Sequence, residues 1–128
     1  MTKLLLALGL AAASLPLAAQ DAPAAAPTTL PQLSIDQVTS LRCGVAFGMV
    51  AKEQAEGDER AAAYPAMDPR GREFFVRTMA GLMDAHDLTR EQANGLTYAT
   101  LQTMQQEGRE AREAMMPSCL MLLDASGL

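Results

Sequence analysis

The sequence predicts an all-α fold: a small four- to five-helix bundle with one disulfide, preceded by a signal peptide and a Pro/Ala-rich linker. Three observations predict it. Alanine, leucine and methionine dominate and β-branched residues are few, which favours helices over strands. Two segments, Leu33–Ser34–Ile35–Asp36–Gln37 and Leu88–Thr89–Arg90–Glu91–Gln92, place a hydroxyl residue three positions before a glutamine, the capping-box signature of a helix start. Cys43 and Cys119, the only two cysteines, stand 76 positions apart, near the ends of the region with helical periodicity.

At the N-terminus, Lys3 precedes an apolar run from Leu4 to Leu17, broken only by Ser14 and Pro16. A run of about 14 residues is too short to span about 30 Å of hydrocarbon but suits the core of a signal peptide. Cleavage is expected after Ala19, leaving Gln20 as the new N-terminus, with Ala22–Pro23–Ala24 as the second site. A retained membrane anchor is the rival reading. Residues 20–33 hold Pro23, Pro27 and Pro31 without an amphipathic period and read as a flexible linker. One helical domain is then expected over residues 34–128, in the periplasm or secreted, with no stable membrane insertion after cleavage. Export places Cys43 and Cys119 where thiols oxidise, and closing so long a loop is worth about 4–4.5 kcal/mol in the chain-entropy treatment. A redox or metal-binding role for them lacks the C-x-x-C spacing that lowers a thiol pKa.

The first helix opens at Ser34, with Leu33 and Val38 as the hydrophobic staple and an apolar stripe through Val38, Leu41, Val45 and Met49. Phe47 and Val50 widen that stripe, and Cys43 shares their side of the helix. Gly44 and Gly48 lie together on its surface and permit close approach of another helix, a packing device with no ligand implied. Gly57 either ends this helix or lets it run to Ala63 with a Glu56–Arg60 pair; Tyr64–Pro65 is the firmer stop. Asp68–Pro69 reads as a cap with proline in the first helical position. Its helix carries two apolar strips, Phe75–Met79–Leu82 and Val76–Met83, with a Glu73–Arg77 pair, and ends near His86–Asp87. The helix capped by Thr89 aligns Ala93, Leu96, Thr100, Met104, Ala111 and Met115. Met116–Pro117 ends or kinks it before a short apolar helix through Cys119, Leu120, Leu122 and Leu123.

Chemistry is harder to find. His86 is the only histidine, and no serine or cysteine is recognisably partnered with it; at a helix C-terminus it suits the macrodipole. The carboxylates Glu53/Glu56, Asp58/Glu59 and Glu107/Glu110/Glu113 alternate with Arg60, Arg109 and Arg112 on expected solvated faces. Known nucleophile-elbow, P-loop, zincin and Rossmann motifs are absent. Arg70, Arg72 and Arg77 around Phe74–Phe75 read as a mixed, solvated face in preference to a basic patch. An acidic chain (formal net charge −5) without tryptophan argues against nucleic acid as a partner. No cofactor is expected. Met79, Met83 and His86 fall at i, i+4 and i+7, and soft thioethers with one imidazole suit Cu(I), although methionine also fills cores poor in aromatics.

Leu88–Thr89–x–x–Gln92 resembles the L-T-x-x-Q motif of the Spy/CpxP-like periplasmic chaperones and stress sensors, and Leu33–Ser34–x–x–Gln37 resembles a degenerate second copy. The chain is also similar to small uncharacterised exported helical proteins of alphaproteobacteria, through R-C-x-x-A-F near residue 42, G-R-E-F-F-V-R at 71–77 and M-P-x-C at 116–119. These resemblances imply a helical fold and an envelope location. The expected function is that of an exported, non-catalytic protein acting by contact with an envelope protein partner, chaperone-like or related to envelope stress. The alternatives are a soft-metal or small apolar ligand-binding protein using Met79, Met83 and His86, and an enzyme with an unrecognised site. The oligomeric state stays open.

Overall fold

The computed structural model describes residues Leu30–Leu128; the expected leader, its cleavage between Ala19 and Gln20, and linker residues 20–29 lie outside the described residues. Four helices follow in order: α1 (Ile35–Ala55), α2 (Arg70–His86), α3 (Arg90–Glu107) and α4 (Arg109–Ala125), with one turn of 3-10 helix at Ala61–Ala63 and no strand among the described residues. Both capping boxes form. Ser34 Oγ accepts from Gln37 N at 3.2 Å while Gln37 Oε1 accepts from Ser34 N at 3.0 Å, and Thr89 and Gln92 repeat the exchange at 3.2 and 2.9 Å. Each box satisfies two amide donors that the helix itself leaves free.

The middle of α1 is buried on all sides: Leu41 and the unbroken run Cys43–Gly44–Val45–Ala46–Phe47 are covered, because α2, α3 and α4 all pack against this one helix. A helix apolar all round is a core helix. The expected single stripe is therefore corrected at both ends, where Val38 is 41% exposed and Met49 only half-buried. Phe47 meets Phe74 of α2 edge to face, with centroids 5.3 Å apart, in a core where Met67, Met104 and Met116 are buried among leucine, valine and alanine side chains.

Close approach of α2 rests on two glycines. A Cβ at Gly71 would fall 2.7 Å from Phe47 Cβ, and one at Gly44 would fall 3.2 Å from Phe75 Cα. Gly48, expected to act with Gly44, has nothing within 4 Å of its Cβ position. The packing partner of Gly44 is therefore Gly71, across the interface, because the two helices are closest where Phe47 and Phe75 lie.

Of the two ends open to the first helix, the structure takes the earlier: α1 stops at Ala55 and does not reach Ala63, since Gly57 takes φ +81° and turns the chain. Glu56 then pairs with Lys52, and Arg60 reaches Glu113 of α4, so the Glu56–Arg60 pair does not form. The connection to α2 is organised by Gln54. Its Nε2 lies 3.0–3.3 Å from the carbonyls of Ala61, Tyr64 and Pro65, and its Oε1 accepts from Met67 N at 3.0 Å. Asp68 does not cap α2: Pro69 holds the cap position, follows a cis bond, and makes no side-chain cap, while Asp68 pairs with Arg72. Of the two strips on α2, Val76–Met83 is not a core strip, because Val76 is 59% exposed; the buried face is Gly71, Phe74, Met79 and Leu82. Arg77 donates to the Ser126 carbonyl in place of the expected pair with Glu73.

The expected continuous helix from Arg90 to Met116 breaks at Gly108, whose φ of +90° makes it the junction of α3 and α4. Apolar periodicity runs through this glycine and conceals it. Pro117 in turn sits inside α4 without ending it. The residue is exposed, so the Glu113 carbonyl that loses its helical donor has access to water. Beyond it, Cys119 is 1% exposed and bonded to Cys43 with Cα atoms 5.2 Å apart, joining α4 to the central helix.

Gly71→Ala is expected to lower stability by about 1–3 kcal/mol through overpacking against Phe47. Gly48→Ala is expected to raise it by about 0.5–1 kcal/mol, through helix propensity alone. Urea midpoints of the two variants check both signs.

Candidate functional site

α2 and α3 both lie on α1 but touch each other little, and the strip of α1 around Gly48 shows between them. The result is an open cleft of about 300 Å³. Its floor is Gly44, Val45, Gly48 and Met49 of α1; its walls are Phe75 of α2 and Thr97 and Leu101 of α3. Lys52 stands at the rim as the single charged lining residue. On the other side of Phe75 a second lobe of about 420 Å³ continues along the same glycine strip, bounded by Met67, Asp68, Gly71 and Arg72. The lining of the inner lobe is almost wholly apolar side chain or bare glycine backbone.

Beside the cleft lies an ion-pair network. Arg109 grips Asp58 with both terminal nitrogens, at 3.1 and 2.8 Å, and its Nη2 also lies 3.0 Å from Glu53. Arg112, 5% exposed and the only buried charged residue among those described, donates from Nη2 to both Glu53 oxygens at 2.8 Å. Its Nη1 contacts the Met49 sulfur at 3.9 Å, and its Nε is buried without a partner. Arg42 joins Glu107 in the same forked geometry. The expectation of solvated carboxylates is thus corrected for Glu53, Asp58, Glu107 and Glu113, which are drawn into pairs between elements: α4 packs back on α1 and brings Arg109 and Arg112 to Glu53 and Asp58, Arg60 reaches Glu113 of α4, and Arg42 of α1 reaches Glu107 of α3.

Electrostatics follow this geometry. Arg109, and then the Ala61 amide, hold the Asp58 carboxyl down to about 2. Asp58 and Glu53 raise Arg109 in return. Arg42 lowers Glu107 and is itself raised by it.

The sequence-predicted metal candidates face different neighbours. Met79 is buried and accepts from Thr97 Oγ1 of α3 at 3.7 Å, Met83 is half-buried, and His86 Nε2 lies 3.1 Å from Gln37 Oε1 of α1. That oxygen also accepts from Ser34 N, so His86 carries its proton on Nε2. Among the described residues no group of three or more His, Cys, Asp or Glu side chains is arranged to hold a metal ion. The arginines around Phe74–Phe75 are each engaged, Arg70 and Arg77 by the end of α4 and the residues after it. Arg70 bonds Asp124 and the Leu128 carbonyl at 2.8 Å each, Arg72 pairs with Asp68, and Phe74 itself is buried. Sequence reasoning singles out neither Lys52 nor Thr97, and places Leu101 only beside the apolar stripe of its helix. Only the Gly44–Gly48 spacing pointed at the cleft, and it was read as packing.

No helix among the described residues is long and apolar enough to cross a membrane. Compared with family models, curated proteins and solved structures, the chain matches none.

Because Asp58 is lowered in the folded state, its pair with Arg109 stabilises the fold above the ordinary carboxylate value of about 3.9, and the contribution is lost as pH falls from there to about 2. Thermal midpoints followed across this range should fall less steeply in Asp58→Asn, with the remaining slope shared by Glu107.

Proposed function

We propose that this chain is an exported, non-catalytic binding protein whose α1 cleft holds a small apolar guest. The cleft between α2 and α3 carries the reading: it is open to solvent, lined by Val45, Met49, Phe75 and Leu101, and floored by a glycine whose Cβ position touches nothing. Its volume of about 300 Å³ falls at the small end of ligand sites, about 300–1,000 Å³. This moves ligand binding from Met79, Met83 and His86 along the α2–α3 seam to the side of Phe75 and Leu101, where apolar surface is uncovered. The Cys43–Cys119 bridge supports export, as such bonds persist in oxidising compartments. The pairing of Glu53 and Asp58 with arginines supports a non-catalytic role, since both carboxylates are engaged in ion pairs between elements.

Protein contact, chaperone-like or related to envelope stress, has its own support at the start of α1. Ile35 is 84% exposed and Val38, one turn on, is 41% exposed, with Leu30 at 40% nearby in sequence. An envelope protein partner fits this apolar edge. A photo-cross-linking side chain at position 35 should capture a single stoichiometric partner there, while one at the charged, exposed Glu59 should not.

For the cleft, the fluorescent apolar probe N-phenyl-1-naphthylamine should bind saturably in the micromolar range. Gly48→Leu, which fills the cleft from its floor, should weaken that binding about tenfold or more. A signal that never saturates, or one indifferent to Gly48→Leu, removes the reading.

A further inference from the structure

Polarity changes along the groove. The inner lobe has no carboxylate in its lining, and Lys52 is its only charge. Past Phe75 the lining again includes Lys52, now with Arg72 and Asp68, so two cations face one carboxylate. Glu56, which pairs with Lys52, stands outside that lining, so the positive excess belongs to the groove wall itself, in a chain whose formal net charge is −5. Neither cation is locked in place. Among the described residues Lys52 is held only by Glu56 and Arg72 only by Asp68 at 3.2 Å, both exposed i,i+4 pairs of the kind that contribute little and reopen readily.

We infer that the guest is a single-chain amphipathic anion, an alkyl carboxylate, with its chain between α2 and α3 and its head group at Lys52 and Arg72. The inference rests on the small-ligand reading above and adds the chemistry of the guest. Size sets the chain length. A methylene takes up about the 30 Å³ of a water molecule, so the 300 Å³ inner lobe accepts about ten carbons in one chain. Bare backbone at Gly48 lets that chain lie directly against α1, and the Phe75 ring marks where the apolar part ends. A carboxylate emerging there exchanges bulk water for two ammonium and guanidinium donors, charge-assisted bonds stronger than those a neutral hydroxyl makes. An alkylammonium of the same length would meet like charge.

Calorimetric titration of the disulfide-intact protein with decanoate, 1-decanol and decyltrimethylammonium, each below its aggregation concentration, tests this. Decanoate should bind about tenfold tighter than either of the others. Lys52→Ala should bring decanoate to the level of decanol, Lys52→Glu should favour the ammonium, and Gly48→Leu should weaken all three guests. Thermal midpoints of the variants, with Gly48→Ala as the folded control, separate loss of the site from loss of the fold. Equal affinity for the three guests, or decanoate binding unchanged in Lys52→Ala, overturns the anion while a Gly48→Leu effect keeps the apolar cleft. No binding by any guest, or indifference to Gly48→Leu, overturns both.

Discussion

The contact of Phe47 with Gly71 sets the geometry on which the rest of this protein depends. With a side chain absent at Gly71, α2 comes down until its backbone rests on the Phe47 Cβ, and Phe75 then lies over Gly44. α1 is thereby enclosed from that side and becomes the axis of the domain. Its covered residues include five in succession, Cys43, Gly44, Val45, Ala46 and Phe47, a pattern no surface helix sustains. A close approach at one point also means divergence elsewhere. α3 meets α1 beyond the reach of α2, and Gly48 is left with no neighbour.

α4 is secured from the opposite direction by two different kinds of bond. The Cys43–Cys119 bridge ties its middle to α1, and the pairs of Arg109 and Arg112 with Glu53 and Asp58 tie its first turns. Arg70 and Arg77 of α2 bond the carbonyls of Leu128 and Ser126, as cations beside a helix C-terminus do. Arginine suits both ends of α4 because its fork engages carboxylates and carbonyls in fixed geometry. The methionines meanwhile have a structural use. Met67, Met104 and Met116 are fully buried in a core with one aromatic pair, where an unbranched side chain fills irregular space. Met49 connects the two regions, lying between the cleft and the buried guanidinium of Arg112. Rigid packing on the α2 and α4 sides and open backbone between α2 and α3 are thus parts of one arrangement.

Local signals in the chain were legible where short-range geometry is sufficient. Ser34/Gln37 and Thr89/Gln92 announce two helix starts, because each box closes within four residues whatever surrounds it. The helical class follows from composition, the end of α2 from His86–Asp87, and the bridge from there being two cysteines on apolar helix faces. Other features depend on neighbours distant in sequence. Nothing local distinguishes Gly108, which breaks a helix, from Gly48, which lies within one, since apolar spacing continues through both. Gln54 orders the connection to α2 only because three carbonyls fold back to it, and Glu53 differs from Glu56 only because two arginines arrive from α4. The cleft belongs with these. Its floor was visible as a glycine pair, but whether a glycine strip is covered or bare depends on where the adjoining helices cross, and crossing points are properties of packed surfaces, not of the segments that form them.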